Sequence, residues 1–150
     1  MSTLPTVPAR AGSGGPVRVR ALAVAGAVLA DALIWLVAHS ALGIDLRIPD
    51  GPGSTTTSEL LLPAVIIGSA VVSLLGWGLL VLLERLTGRA PVLWTGAASL
   101  VLALSLFAPL FGAGLTTGNR ITLVLLHLTV GAVLIPAFRR GSVPDRGPVP

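Results

Sequence analysis

Charged residues are widely spaced in this sequence, and long apolar runs lie between them. Residues 60–83 contain no charged side chain, and residues 90–119 contain none either but are divided by the turn-forming segment "FGAGLTTGN". Residues 21–42 and 121–138 form two further apolar runs, each flanked by arginines. A helix needs about 20 apolar residues to cross the roughly 30 Å hydrocarbon core of a bilayer. The pattern therefore predicts four membrane-spanning helices, near residues 19–42, 59–84, 92–112 and 119–138.

The segments outside the apolar runs are rich in residues that disfavour regular structure. Residues 1–17 are rich in Pro, Gly and Ala, and residues 141–150 read "GSVPDRGPVP", so both are predicted to be disordered cytoplasmic tails. Residues 43–59 carry prolines and glycines near their middle and are predicted to form an irregular surface loop. Residues 18–140 are thereby assigned to one four-helix transmembrane domain.

Composition identifies lipid as the solvent of these helices. Hydrophobic residues make up 53% of the chain, charged residues make up 11%, and the mean hydropathy is +0.92. A soluble domain has about a quarter of its residues charged, which is more than twice the fraction found here. The expected fold class is therefore all-α, an integral membrane four-helix bundle that crosses the cell membrane several times.

All ten basic residues are arginines, and their positions predict the orientation of the helices. Cytoplasmic flanks of membrane helices carry an excess of positive charge. Most of the arginines lie at the two ends of the chain or between the second and third spans, whereas Arg47 and Arg120 lie on the opposite side. Both termini are therefore predicted to be cytoplasmic. The net charge of +4 does not indicate a nucleic-acid partner, because the sequence contains neither a basic stripe nor aromatic platforms for bases.

Asp31 interrupts the first apolar run. An ionised aspartate at the centre of a membrane helix costs about 2.5–3.5 kcal/mol, whereas the nine Leu, Ile and Val residues between positions 21 and 42 contribute about 3–5 kcal/mol. The two contributions nearly cancel, so an aspartate here needs a partner that shields it. A secretory signal peptide is an alternative interpretation of this run, but the run is longer than the apolar core of such a peptide and contains Asp31.

His127 is the candidate partner of Asp31, because it is the only other ionisable residue deep within a predicted span. At 1.5 Å per residue, each of the two lies about 16–17 Å from the cytoplasmic end of its helix, so their depths match. Arg120 lies nearly on the same helix face as His127, and His39 lies near the outer interface. These two residues are further candidate contributors to an intramembrane polar site.

Two interpretations of the Asp31–His127 pair remain open. Polar side chains hold helices together in many membrane bundles, which favours a structural or interaction component of the membrane without enzymatic activity. A proton relay or cation site would instead indicate a small proton-coupled transporter or exporter. The sequence has neither a catalytic motif nor a spaced set of metal ligands, so no catalytic residue, metal or cofactor is expected. The expected partners are membrane lipid and either a second copy of the chain or another membrane protein.

Three segments carry a resemblance to a known family: "VRVRALAVAGAVLADALIWLVA", "LLERLTGRAPVLWTGAASLVLALSLFAPL" and "RITLVLLHLTVGAVLIPAFRR". Over roughly residues 18–140, the sequence resembles an uncharacterised family of small four-helix membrane proteins from high-GC bacteria, a domain-of-unknown-function family. The most distinctive pieces are "LSLFAPL" and the histidine in "LLHLTVGAVLIP". The resemblance implies the four-helix fold and adds no site chemistry, because the family has no assigned activity.

Small multidrug resistance exporters provide a contrasting comparison. They also have four short helices and an essential carboxylate in the first span, which corresponds to the position of Asp31. This sequence departs from them because it has Asp in place of Glu, a long first loop at residues 43–59, and no tyrosine with which to build an aromatic cage. The exporter class therefore remains the less favoured interpretation.

Overall fold

The computed structural model of the chain describes residues 15–51 and 53–140 and is mainly helical. The elements in chain order are α1 (Gly15–Leu36), which continues as a π-helical turn (Val37–Ala41), β1 (Arg47–Pro49), β2 (Thr57–Glu59), α2 (Leu62–Leu86), α3 (Ala90–Ser105), α4 (Phe107–Phe111) and α5 (Thr117–Arg140). The predicted tails lie outside the described residues, except that residues 15–17 form the beginning of α1.

Within the described residues, four stretches of helix are long and apolar enough to cross a membrane. This finding confirms the predicted all-α bundle of four apolar helices. The third stretch combines α3 with α4, which are separated only by Leu106. The four stretches are Gly15–Ala41, Leu62–Leu86, Ala90–Phe111 and Thr117–Arg140, and each begins and ends within four residues of its predicted span.

Prolines and glycines set several helix boundaries. Pro63 and Pro91 lie in the first turns of α2 and α3, where a backbone N–H would have no intrahelical partner. Gly114 has a φ of 73° in the turn between α4 and α5, a conformation that a Cβ disfavours. Gly114 therefore permits the sharp turn that separates the apolar stretch Ala90–Phe111 from α5.

The segment predicted to be an irregular loop contains a β-hairpin. Strands β1 and β2 pair antiparallel, with Arg47 opposite Glu59 and Pro49 opposite Thr57. Nε of Arg47 donates a hydrogen bond to Oγ1 of Thr57 (2.9 Å), and Nδ2 of Asn119 in α5 donates to the carbonyl oxygen of Arg47 (2.9 Å). The hairpin is therefore attached to the beginning of α5, a long-range contact that local sequence patterns do not reveal.

Seen in cross-section, the four long helical stretches form a four-sided bundle. α1 packs against α2 and α5, and α3 packs against the same two helices, so α1 and α3 occupy opposite corners. One buried apolar cluster, which contains Trp35, lies toward the hairpin, and a second, which contains Trp94 and Phe138, lies toward the chain termini. α3 approaches α5 closely at Gly131, because a Cβ there would lie 2.5 Å from Cδ2 of Leu102.

An ion pair joins α1 to α2 at the end of the bundle nearest the termini. Nη1 and Nη2 of Arg20 donate to Oε2 (3.1 Å) and Oε1 (2.5 Å) of Glu84. The Arg20 side chain is 6% exposed and that of Glu84 is 31% exposed, so the pair is partly shielded from solvent. Arg20 thus makes a specific interhelical contact in addition to contributing to the arginine-rich flank.

Candidate intramembrane binding site

Asp31 lies on the buried stripe of α1 that faces α2 and α5. Ala23, Ala27 and Trp35 share this stripe at helical spacing, and the two alanines allow close approach of the neighbouring helices. Asp31 itself is 2% exposed, and Oγ of Ser69 in α2 donates a hydrogen bond to its Oδ2. Among the described residues, Oδ1 of Asp31 has no hydrogen-bond partner. The carboxyl group is therefore only half satisfied, although a buried polar atom without a partner is costly.

The hydrogen bond made by His127 determines which of its nitrogens carries a proton. Nδ1 lies 2.7 Å from the carbonyl oxygen of Leu123, one turn earlier in α5. A carbonyl oxygen can only accept, so Nδ1 donates and the neutral imidazole has an unprotonated Nε2. No other side chain in the described part of the chain bonds to Nε2. In its neutral form, His127 therefore offers Nε2 as a hydrogen-bond acceptor.

The structure brings Asp31 and His127 to the same cavity. Both side chains line it. The described residues show no direct hydrogen bond between them, because the partner of Asp31 is Ser69 and that of His127 is the Leu123 carbonyl. The polar pair thus remains a prediction, and Ser69 is the contact that joins Asp31 to a second helix.

The cavity has a volume of about 590 Å³ and lies mainly between α2, α3 and α5. Its lining extends along α2 from Ala64 to Leu79, which at 1.5 Å per residue is about 22 Å. Ligand pockets in proteins commonly have volumes of about 300–1,000 Å³ and mostly apolar linings. The apolar residues that line this cavity are Ile48, Leu60, Ala64, Val65, Gly68, Val72, Leu75, Gly76, Leu79, Trp94, Ala97, Ala98, Val101, Leu102, Leu123, Leu126, Val130, Gly131, Leu134 and Ile135.

The side-chain donors around the cavity are already engaged. Oγ of Ser69 donates to Asp31, and Oγ of Ser105 donates to the carbonyl oxygen of Leu102 (2.8 Å). Nε1 of Trp94 donates to the carbonyl oxygen of Gly76 (2.8 Å). The polar groups that remain for an occupant are therefore hydrogen-bond acceptors.

Arg120 and His39, the further predicted contributors, lie elsewhere. The guanidinium of Arg120 donates to the carbonyl oxygens of Leu110 (2.5 Å) and Gly112 (2.7 Å), and so holds the end of α4 against the beginning of α5. His39 is exposed on the π-helical turn and stacks on Trp35 with ring centroids 4.6 Å apart. Neither residue lines the cavity.

Ser69 is the residue of this site that the sequence analysis did not identify. Ser69 and Ser73 are four residues apart and both are buried on the same face of α2. Two hydroxyl side chains at helical spacing within an apolar run are a signal for a polar interhelical contact. The sequence carries this signal, but neither serine is ionisable, so charge alone does not indicate either as a partner of Asp31.

Metal-ligating side chains do not cluster in the part of the chain that the structure describes. Within residues 15–51 and 53–140, no group of three or more His, Asp or Glu side chains could hold a metal ion. The expectation that the protein uses no metal or cofactor remains a prediction.

Comparison with known proteins places the chain in a family. The sequence profile of a family of unknown function (DUF6069) matches residues 12–143, which is most of the chain, so the chain belongs to that family. The resemblance to a domain-of-unknown-function family is confirmed at this level. Neither a curated protein nor a solved structure matches the chain.

Proposed function

We propose that this member of a family of unknown function is a multi-pass protein of the bacterial cytoplasmic membrane, with both termini in the cytoplasm. The arginine distribution supports this orientation, because the flanks at the terminal end of the bundle carry most of the positive charge. The hairpin would then face outward. We also propose that the family consists of small four-helix membrane proteins of high-GC bacteria, which this chain resembles over roughly residues 18–140.

Reporter fusions test this orientation. Cytoplasmic reporters fused after Arg89 and after Arg140 should be active, and a reporter that works only outside the cytoplasm should be active when fused after Gly53. A fusion after Arg140 that is active only outside the cytoplasm would refute the orientation.

We further propose that the protein is a non-enzymatic interaction component that binds an apolar molecule within the membrane. The observation that carries this proposal is the elongated apolar cavity of about 590 Å³. The lining includes the exposed side chains of Val72, Leu75 and Val101, so the cavity opens on the outer face of the bundle, where an apolar molecule within the membrane can enter it. The hydrogen bond from Ser69 to Asp31 fits a structural role in joining α1 to α2, but it does not account for the cavity.

Filling the cavity tests whether it binds apolar molecules. Gly68 lines the cavity and Gly78 does not, and a Cβ added at either glycine would meet no atom within 4 Å. We expect 1-methylpyrene to give saturable energy transfer from tryptophan in nanodiscs, because Trp94 lines the cavity. Gly68→Phe should abolish the saturable signal, whereas Gly78→Phe should retain it. Equal signals from the two folded variants would refute a binding cavity.

Proton-coupled transport is the second candidate function. The observation that favours it is that two ionisable side chains, Asp31 and His127, line the same cavity. Proteoliposomes with an imposed proton gradient should then accumulate a fluorescent substrate of the cavity, and Asp31→Asn should stop this accumulation. Binding that is unaffected by the gradient would exclude transport and leave the interaction role.

Lipid is the partner that every form of this proposal requires. A homo-oligomer or another membrane protein is a further proposed partner, since each of the four apolar helices leaves large hydrophobic side chains on its outer face. Cross-linking of the intact protein in native membranes distinguishes these partners. A single band at the mass of one chain under all cross-linking conditions would argue against both.

A further inference from the structure

We propose that the cavity binds a lipophilic amine, with the ammonium group held by Asp31 and His127 and the apolar body lying along α2. This inference rests on the proposed binding function and names the chemical class of the ligand. It is carried by the hydrogen-bonding groups that the cavity leaves unpaired, together with the shape of its apolar lining.

With Asp31 ionised and His127 neutral, the polar part of the cavity presents hydrogen-bond acceptors without matching donors. Oδ1 of Asp31 has no partner within the described residues, and the bond from Nδ1 of His127 to Leu123 leaves Nε2 as an acceptor in the neutral ring. The hydroxyls of Ser69 and Ser105 already donate elsewhere. An occupant that satisfies this site must therefore supply N–H or O–H donors.

The charge of Asp31 narrows the chemical class of the ligand further. Asp31 is only 2% exposed, and an ionised carboxylate with so little access to solvent requires a compensating positive charge. The guanidinium of Arg20 is paired with Glu84, that of Arg120 is bonded to the carbonyl oxygens of Leu110 and Gly112, and the neutral form of His127 carries no charge. A primary or secondary ammonium group supplies both the missing charge and at least two N–H donors. A hydroxyl group lacks the charge, and a quaternary ammonium group lacks the donors.

The remainder of the cavity fits an apolar body. Its lining reaches about 22 Å along α2, and Ser69, the partner of Asp31, lies between the two ends of that stretch. The cavity-lining side chains on both sides of Ser69 along α2 are aliphatic or glycine. The ligand is therefore expected to be amphiphilic, with a small polar group on an otherwise apolar molecule.

Three related probes test this inference in nanodiscs. 1-Pyrenylmethylamine carries charge and N–H donors, its N,N,N-trimethyl analogue carries charge without donors, and 1-methylpyrene carries neither. Saturable energy transfer from tryptophan measures their binding. We expect the primary amine to bind about tenfold or more tightly than either control, because neither control can donate a hydrogen bond to Asp31 and a hydrogen bond to a charged group contributes a factor of about ten or more.

The variants Asp31→Asn and His127→Leu assign the preference to this site. Asparagine retains an acceptor for the Ser69 hydroxyl, so this variant should fold, which unfolding in detergent verifies. Asp31→Asn should remove most of the preference for the primary amine over 1-methylpyrene, and His127→Leu should reduce that preference in the same direction.

The outcomes separate this inference from the proposed function. If 1-methylpyrene binds as tightly as the primary amine and both are lost in Gly68→Phe, the cavity binds apolar molecules but the amine inference is wrong. If the trimethyl analogue binds as tightly as the primary amine, the N–H donors have no role and the inference is again wrong. If no probe gives a saturable signal, both the inference and the binding function fail.

Discussion

Ser69→Ala and Ser73→Ala make the same chemical change one turn apart on the buried face of α2, and we expect them to have different effects. Ser69 is 7% exposed and Ser73 is 0% exposed, so both hydroxyls are removed from lipid and water. The hydroxyl of Ser69 donates to Asp31, whereas Oγ of Ser73 has no partner among the described residues. The pair therefore isolates the contribution of one hydrogen bond.

The magnitude follows from what each substitution leaves behind. Ser69→Ala leaves both oxygens of a buried carboxyl group without a partner. Interhelical polar contacts in membranes contribute about 0.6–1.7 kcal/mol, and hydrogen bonds to charged groups about 1.5–3 kcal/mol, so we expect a loss of about 1–2 kcal/mol in the free energy of unfolding. Ser73→Ala removes an unpaired hydroxyl with little change in volume, so stability should be unchanged or rise by up to about 1 kcal/mol.

Equilibrium unfolding in bicelles by steric trapping measures the change in the free energy of unfolding for each serine variant. A double-mutant cycle with Asp31→Leu then shows how much of each change depends on Asp31. Ser69 and Asp31 should couple by about 1 kcal/mol, whereas Ser73 and Asp31 should be additive. The same cycle between Asp31 and His127 should give a smaller coupling, because they line the same cavity without a direct hydrogen bond between them in the described structure. Equal destabilisation by Ser69→Ala and Ser73→Ala would refute this reasoning.

Three further substitutions test contacts that hold the bundle together. Glu84→Gln removes the charge paired with Arg20 and should destabilise the protein by about 1–2 kcal/mol in the same unfolding assay. This loss is smaller than for a fully buried ion pair, because the Glu84 side chain is 31% exposed. Gly131→Ala should stabilise the protein less than the same change at an open helical glycine, because the new Cβ would lie 2.5 Å from Cδ2 of Leu102 and the Leu102 side chain would have to shift. Arg120→Lys should accelerate hydrogen exchange at the α4–α5 turn, because a lysine cannot reproduce the fork of guanidinium donors that binds the turn carbonyls.

Each of these three changes has a matched control at an exposed position. Glu59→Gln is the control for Glu84→Gln and should leave the free energy of unfolding unchanged within error. Arg85→Lys is the control for Arg120→Lys and should leave hydrogen exchange at the α4–α5 turn unchanged within error. Gly26→Ala should be neutral or stabilising, because nothing lies within 4 Å of the added Cβ and alanine favours the helix. A test variant that behaves like its control would show that the corresponding contact does not stabilise the bundle.

The sequence by itself determined the number of apolar helices and their approximate limits. Transfer into lipid depends on the summed hydrophobicity of a contiguous segment, so it can be evaluated without knowing any neighbour. The same local reasoning identified Asp31 as a residue that needs shielding, because the cost of its charge depends on its depth in the helix.

The sequence did not determine which residue shields Asp31. Depth along the bundle is set by residue number, and by this measure His127 on α5 was a suitable partner. The choice depends on how each helix is rotated about its axis and which helices are neighbours, and α1 has both α2 and α5 beside it. In the folded chain, the hydroxyl of Ser69 on α2 makes the hydrogen bond, while His127 bonds to its own helix.

The hairpin and the cavity were likewise decided only by tertiary structure. The hairpin is attached by Asn119 to the carbonyl of Arg47, two positions far apart in the chain that meet only once α1 and α5 are packed together. The cavity is a space between α2, α3 and α5, and its volume depends on the distances and rotations of three helices. A hydropathy pattern describes each helix as a single segment, so it carries no information about the space that packing leaves between them.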